Sequence, residues 1–479
     1  MLANTFEAIV PAPAIIDVDK SAAVLAVADL EKYCITADCS ILATEFPRLI
    51  RFYGLKIYET ANEKDATIRI RENSSLGCEN WFIAVSPQGV VLEGGDKNGV
   101  VYAFAAFAQI LNAALVCGPA QATLNCGTVI DKPRFQWRGL HLDSARHFQS
   151  GDKIKKLIRI MAHLRLNKFH WHLTDNQGWR IESAVVPGMA EVFQNVPGQY
   201  PVEVLKGIAA FAAQYGIQII PEIDVPGHSR GILSKYSELA CNPENPGAEY
   251  CIGNPHTLKF LKRVFAELMD IFPDSPVIHL GGDEAATEHW KSCSRCQNAL
   301  MEKGLKDMRE LENSFMTELA DFVSANGRTP MLWGNCFEQI YPANNLIQVW
   351  NGIRDSLKVA EHGNKVIYSV HNSLYFDYPE NNAEPFESWM FALPEQGVYM
   401  TDPFMIWQEE LKNTIIGTEA CLWTERVPEW RLFPKIMPRI FAYAECAWSN
   451  PEQKDWYSFL RRREFLKASG YEEYLIDTI

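Results

Sequence analysis

The chain carries no cysteine framework, no excess of basic charge, no membrane-length apolar run and no low-complexity tract. Each absence excludes something. The 12 cysteines in 479 residues are scattered, so this is not a small disulfide scaffold. Cys293-Ser-Arg-Cys296 is a single CxxC with no second pair nearby in the sequence. A structural zinc site takes four ligands, so no metal is expected there. A disulfide between Cys241 and Cys251 stays open, since spacing alone cannot establish one. Acidic residues number 59 against 45 basic ones, a net charge of −14, which argues against a nucleic-acid partner. The longest apolar stretch, Val100 to Val116, contains Gln109 and Asn112. It falls short of the ~20 residues that cross a bilayer, so a buried helix is expected and no membrane span. Met1 to Lys20 shows no basic segment leading into an apolar run. No signal peptide is read, which leaves the compartment open between the cytoplasm and export with a leader removed. No cofactor is expected, and a homodimer stays open.

What is present is an ordinary globular composition, 47% hydrophobic and 22% charged, with ample length to bury a large core. Residues 1–133 read as a small α/β unit. Ala66-Thr-Ile-Arg-Ile70, Trp81-Phe-Ile-Ala-Val85 and Gly89-Val-Val-Leu-Glu93 have the pattern of strands, and Asn98 to Asn112 that of a helix rich in Ala and Phe. Ile130-Asp-Lys-Pro-Arg134 looks like a boundary.

From residue 134 onward a rhythm sets in. Short apolar runs, each ending in polar or aromatic residues, occur at Trp137–Asp143, Lys168–Thr174, Ile217–Asp224 and Val277–Asp283. They continue at Pro330–Asn335, Leu346–Trp350, Lys365–Val370 and Ile415–Trp423. Helical patterns lie between most of them: Asp152–Leu166, Val202–Tyr215, Thr257–Phe272 and Leu305–Asn326; the link between the sixth and seventh runs, Arg354–His362, is short. Eight parallel strands alternating with helices give a (β/α)8 TIM barrel, whose strands are buried on both faces and therefore nearly all apolar. The fold class expected is α/β: such a barrel, preceded by the small accessory unit.

In this architecture active groups sit at the C-terminal ends of the strands. The residues there are Asp143 and Arg146, Asp175, Glu222 and Asp224 with His228, Asp283-Glu284, Trp333, Trp350, and Trp423 with Glu425. Carboxylates with tryptophans suit a sugar: acids hold hydroxyls and indoles stack on the ring. The densest signal is His279-Leu-Gly-Gly-Asp-Glu284. Glycoside hydrolysis usually takes two carboxyl groups flanking the bond. Neighbours on a strand point to opposite sides, so Asp283 and Glu284 are poorly placed as such a pair. They could divide the labour between acid and substrate holder. They could also be a helix N-cap and first-turn acid.

Context settles more. Arg138-Gly-Leu-His-Leu-Asp143, Leu166-Asn-Lys-Phe-His-Trp-His-Leu-Thr-Asp175, Gln177-Gly-Trp179 and Pro221-Glu-Ile-Asp-Val-Pro-Gly-His228 follow one another in order. So do Trp333-Gly-Asn335, Tyr375-Phe-Asp377 and Gly417-Thr-Glu-Ala-Cys-Leu-Trp-Thr-Glu425. Together these segments resemble the family 20 glycoside hydrolases, the β-N-acetylhexosaminidases, over essentially the whole barrel. The N-terminal unit resembles that family's accessory domain more loosely.

The resemblance implies an exo-acting, retaining enzyme that removes terminal GlcNAc or GalNAc from an oligosaccharide or glycan by substrate-assisted catalysis. The substrate's 2-acetamido oxygen would be the nucleophile and an oxazolinium ion the intermediate. It implies Glu284 as acid/base, Asp283 as the acceptor of the acetamido N–H, and Tyr375 as a donor to the acetamido oxygen. Trp333 and Trp350 would enclose the acetyl methyl and Trp423 would stack on the sugar; core packing is the plain alternative for all three. Arg146 and Asp175 match the positions gripping the 3- and 4-hydroxyls, and Asp377 and Glu425 those reaching the 4- and 6-hydroxyls. A buried ion network would explain the same residues. His228 and Asp224 match a network that tunes the acid, where a raised pKa is expected. Trp389 would lie near the leaving group. One departure is visible: the family often has two acids where this chain has Asp175-Asn176.

His170 and His172 alternate on one strand and could share a ligand, but with no third ligand evident, hydrogen bonding inside the barrel is preferred over a metal. Two other functions compete. One is a two-carboxylate retaining glycosidase with Glu419 or Glu425 as nucleophile; the other is a catalytically silent sugar binder.

Overall fold

The computed structural model describes residues 2–477 apart from 22, 117, 194–197, 335–340, 343, 386 and 406–408. Eight parallel strands close into a barrel. They are β1 Trp137–Asp143, β2 Lys168–His172, β3 Gln218–Glu222, β4 Val277–His279, β5 Thr329–Gly334, β6 Leu346–Val349, β7 Lys365–Tyr368 and β8 Ile415–Leu422. β8 returns to pair with β1, Trp137 opposite Gly417. All eight apolar runs are therefore strands, in the expected order. Helices lie between them where the 3.6-residue pattern places them, among them Gly151–His163, Val202–Gln214, Pro255–Ile271 and Met308–Ala325.

The strands stop sooner than the apolar runs. The fourth run reads through Asp283, yet β4 ends at His279. Gly281 and Gly282 take φ of +70° and +104°, a region open to glycine but costly to L side chains. The backbone leaves the sheet there, and Asp283 and Glu284 sit on the loop beyond. The fifth run and the Trp333-Gly-Asn335 segment both end on Asn335, which lies outside the described residues.

Ahead of the barrel stands a seven-stranded sheet. Its central pair, Trp81–Ser86 and Gly89–Gly94, is antiparallel, with Ile68–Glu72 parallel to the second of them. The apolar stretch predicted as a helix runs Lys97–Leu115. By length and composition it could cross a membrane, but 83% of its apolar window is buried in the protein. It packs on the sheet with one face and on barrel helix Gly151–His163 with another, which explains why it is apolar nearly all round. The two units are also joined by charge. Arg138 at the foot of β1 donates to Glu79 at 2.6 Å and to the Tyr102 hydroxyl at 2.9 Å.

Two sequence expectations about cysteine change in three dimensions. Cys241 and Cys251 are both free, not a disulfide. The Cys293–Cys296 pair is not isolated either, because the loop after β3 folds Cys241 and Cys251 against it. Chain spacing hides this.

Phe107 on the long helix is fully buried. Phe107→Ala is expected to cost about 3–5 kcal/mol in denaturant unfolding. Tyr58→Ala, at an exposed position, should stay within about 0.5 kcal/mol; equal effects at the two sites would contradict this packing account.

Candidate active site

The loops beyond the C-terminal ends of the strands enclose a cavity of about 500 Å³. Ten of the sequence-predicted residues line it: Arg146, Asp224, His228, Asp283, Glu284, Trp350, Tyr375, Asp377, Trp423 and Glu425; Trp389 lines it too, at the rim and 65% exposed. Asp175 and Trp333 do not. Both lie one layer below, and the reason is visible in their partners.

Asp175 is buried among cations. One oxygen lies 2.8 Å from Arg146 Nη2 and 3.0 Å from His172 Nε2; the other lies 3.2 Å from His228 Nδ1. Burial alone would raise its pKa, but Arg146 and His228 hold it far below the usual carboxylate range. Arg146 in turn reaches Asp143 at 3.4 Å and Glu425 at 3.7 Å, and its guanidinium lies 5.0 Å from the Trp423 ring centre. The ion-network alternative for Arg146 and Asp175 is thus what the free site contains.

From Asp175 the network runs both ways. His172 Nδ1 is 2.6 Å from Glu222, which is 3.1 Å from His170 Nε2, and His170 Nδ1 is 2.7 Å from Glu419. In the other direction His228 Nε2 lies 3.4 Å from Glu284 Oε2 and 4.0 Å from Asp224 Oδ2. Burial opposes charge on His228, yet Asp224 and Asp175 hold its pKa well above the ordinary value. His170 and His172 are likewise raised by their carboxylates against burial, His170 to about 9. The third ligand missed in the sequence is therefore present as Glu222, with His279 beside it. Glu222 sits between the His170 and His172 rings as an acceptor, while burial lowers the His279 pKa to about 4.

The catalytic-rim acids differ sharply from one another. Asp283 is 8% exposed; burial first, then the negative charges of Asp224 and Glu284, raise its pKa well above the usual value. Burial raises Asp224 to about 7, although His228 pulls against it. Glu284 has a side chain 57% exposed, and its hydrogen bond to His228 lowers its pKa. This reverses the expectation that the network raises the acid: in the free site His228 stabilises the Glu284 carboxylate. Glu284 and His228 also hold left-handed backbones, φ +54° and +50°, a strain of ~1–3 kcal/mol apiece that clusters at functional sites. The strain explains why two neighbours reach one cavity, which strand alternation would forbid. Gly281 makes room for this: a Cβ there would sit 1.8 Å from Asp224 Oδ1.

Trp423 forms the apolar floor, 4.4 Å from the His141 ring centre below it, 5.7 Å from Trp333 and 6.2 Å from Tyr375. Trp333 is 1% exposed and donates to Glu222 at 2.7 Å, so in the free protein it supports the floor and does not wall the cavity. Tyr375 is buried, which pushes its phenol well above its usual pKa and keeps it a donor. Burial and Glu425 raise Asp377 to about 8. Asp377 Oδ1 and Trp350 Nε1 are buried without a hydrogen-bond partner among the described residues.

Glu419 is fully buried under the floor, accepting from Trp137 Nε1 and Gln348 Nε2 as well as His170; it cannot meet a sugar. Sequence reasoning missed the outer wall: His371, Tyr378, Glu384, Glu387, Arg426, Arg431 and Lys435. Lys435 donates to Glu384 at 2.7 Å, with Arg431 3.5 Å away, and Arg426 pairs with Glu387. These charges stand in the segments after β7 and β8, Arg431 and Lys435 on short helical turns, with no motif to mark them.

Comparison with known proteins agrees with this geometry. Residues 135–451 match the family model "Glycosyl hydrolase family 20, catalytic domain", and residues 8–132 match "Glycosyl hydrolase family 20, domain 2". A β-hexosaminidase of Akkermansia muciniphila is 33% identical over 431 residues, covering 84% of this chain and 87% of that protein. One from Porphyromonas gingivalis is 31% identical over 412 residues, 80% of this chain and 52% of that protein. Among solved structures, an exo β-N-acetylglucosaminidase of Vibrio harveyi in complex with N-acetylglucosamine superposes with TM-score 0.88 at 26% identity, covering 99% of this chain and 78% of that one. A β-N-acetylhexosaminidase of Bacteroides fragilis superposes with TM-score 0.85 at 29% identity, covering 97% and 96%.

The buried carboxylates predict how His228 titrates. Asp175→Asn should bring the His228 pKa down, read from the ring C–H resonances by NMR. An unchanged midpoint would remove Asp175 from its place in the network.

Proposed function

Because the chain belongs to glycosyl hydrolase family 20 and is a β-N-acetylhexosaminidase, we propose that it works exo and with retention, the substrate's own acetamido group supplying the nucleophile. The observation that carries this reading is the distribution of acids. Glu425 is a solvent-reached carboxyl at the cavity, its side chain 52% exposed, and so is Glu284 at 57%. Asp283 is buried beside it, Glu425 faces Arg146, and Glu419 is sealed below the floor. Burial removes Glu419 from the two-carboxylate alternative, and the ion pair with Arg146 suits Glu425 to holding hydroxyls.

The roles follow. Glu284 protonates the glycosidic oxygen, then activates the water that opens the intermediate. Asp283, ionised, accepts the acetamido N–H and faces the positive charge that develops on the ring carbon and nitrogen. Tyr375 donates to the acetamido oxygen, fixing it for attack on the anomeric carbon. Trp423 stacks under the sugar, Trp350 bounds the acetyl side with Trp333 behind the floor, and Arg146, Asp377 and Glu425 receive hydroxyls. Trp389 offers a surface to the leaving group. The same reading assigns residues 1–133 to an accessory α/β unit and residues 134–479 to the catalytic barrel.

Proton placement needs the substrate. In the free site Glu284 favours its carboxylate and Asp283 its acid form; catalysis wants the reverse. A sugar that excludes water from Glu284 raises its pKa, and a developing cation beside Asp283 lowers that one. Substrate binding thus prepares both groups.

Matched nitrophenyl glycosides with and without the 2-acetamido group test the proposal. Only the acetamido sugar should be cleaved at an appreciable rate; equal rates would refute substrate assistance. Glu284→Gln should lose about 10²–10⁴ in kcat while still binding product, and wild-type turnover would take Glu284 out of its role. Asp283 must be ionised to act, so kcat/KM should fall as pH drops through the raised pKa of the Asp283–Asp224 pair. Asp224→Asn removes a neighbouring negative charge and should move that acid limb to lower pH; a limb that stays put contradicts the coupling.

A further inference from the structure

Four cysteines converge beside the active site without any role in the chemistry above. Cys241 and Cys251 lie on the loop after β3, where Ala240 and Tyr250 form a short bridge. Cys293 and Cys296 stand at the start of helix Ser294–Glu302, after β4. Their sulphurs all lie within 4.8 Å of one another. The close pairs are Cys241–Cys296 at 3.8 Å, Cys251–Cys293 at 3.7 Å and Cys251–Cys296 at 3.7 Å. A disulfide has sulphurs about 2.05 Å apart. A tetrahedron of thiolates about 2.3 Å from zinc has edges of about 3.8 Å. The observed separations fit the second.

We propose that Cys241, Cys251, Cys293 and Cys296 form a structural four-cysteine site for a zinc ion. Cys251, Cys293 and Cys296 are buried, and thiols are weak donors and acceptors with little reason to gather. Four thiolates on a divalent cation carry two net negative charges. Arg295 stands beside them, its guanidinium donating to the carbonyls of Ala240 and Cys241 at 2.6 and 3.3 Å. The loop after β3 crosses the helix start so closely that a Cβ on Gly253 would lie 2.4 Å from the Cys296 Cα. Such closeness brings the two halves of the site together. All four ligands close the shell, so the ion has no open position for substrate or water.

The consequence is mechanical. The loop after β3 begins with Asp224 and His228, and the loop after β4 begins with Asp283 and Glu284. Tyr250 ties the first to the second, its N–H donating to the Pro226 carbonyl and its own carbonyl accepting from Trp290 Nε1, both at 2.9 Å. Zinc bridging the same two loops would fix the distance between His228 and Glu284. Cys241, Cys251, Cys293 and Cys296 are thus positioning residues.

The test is metal content of the full chain purified without chelator, read by atomic emission. The expected result is about one zinc per chain, falling to background in Cys293→Ser/Cys296→Ser. Cobalt exchange of the wild-type chain should give the intense visible bands of tetrahedral cobalt and a thiolate charge-transfer band, whatever the folding of the variant. Background zinc with four thiols open to alkylation overturns the proposal. So does an intact mass lighter by four hydrogens, which means two disulfides, and so does an octahedral cobalt spectrum.

Discussion

The buried carboxylate of Asp175 is the constraint on which the site depends. It lies within hydrogen-bonding distance of Arg146, His172 and His228, groups that belong to three different strand ends. Removing it would leave three desolvated cations facing one another, a far larger cost than any single hydrogen bond. Through Arg146 it fixes the rim near Trp423; through His172 it reaches Glu222 and the barrel interior; through His228 it sets the charge beside Glu284. A sugar pocket needs polar groups held in place before the ligand arrives. This network holds them.

A second constraint is local. Asp283 and Glu284 are neighbours in sequence but differ in burial, charge preference and role. A regular strand would send them to opposite faces. The glycines at 281 and 282 end the strand, and the left-handed Glu284 turns its side chain into the cavity. Close packing of Gly281 on Asp224 leaves that carboxylate beside Asp283, where its charge adds to burial in raising the Asp283 pKa. Backbone geometry and electrostatics are therefore one device here.

The barrel is legible because strands buried on both faces leave an unbroken apolar signature, and the helices between them a 3.6-residue one. Boundaries are less legible: β4 ends early for a backbone reason that only the glycine φ values expose. Residue types at the rim are legible through a family resemblance, but their states are not. A raised pKa is expected for Glu284, and His228 lowers it instead. Trp333 is expected in the wall and supports the floor. Asp175 is expected to grip hydroxyls, and in the free site its oxygens lie among Arg146, His172 and His228. The cysteines show the limit most clearly. Cys241, Cys251 and Cys293 are separated by stretches that no spacing rule connects, and only the folding of two loops against each other brings them together. The charged outer wall, Glu384 with Lys435 and Arg431, has no periodicity or motif to betray it.

The central claim is that the substrate carries its own nucleophile into a site where Asp283 and Tyr375 orient it. The most direct measurement is kcat/KM for a series of glycosides whose acetamido methyl bears successive fluorines. Each fluorine weakens the carbonyl oxygen as a nucleophile while leaving the leaving group unchanged. The account predicts a steep, progressive fall in rate along the series. A flat series would mean that the acetamido oxygen takes no part in bond breaking and would contradict the account.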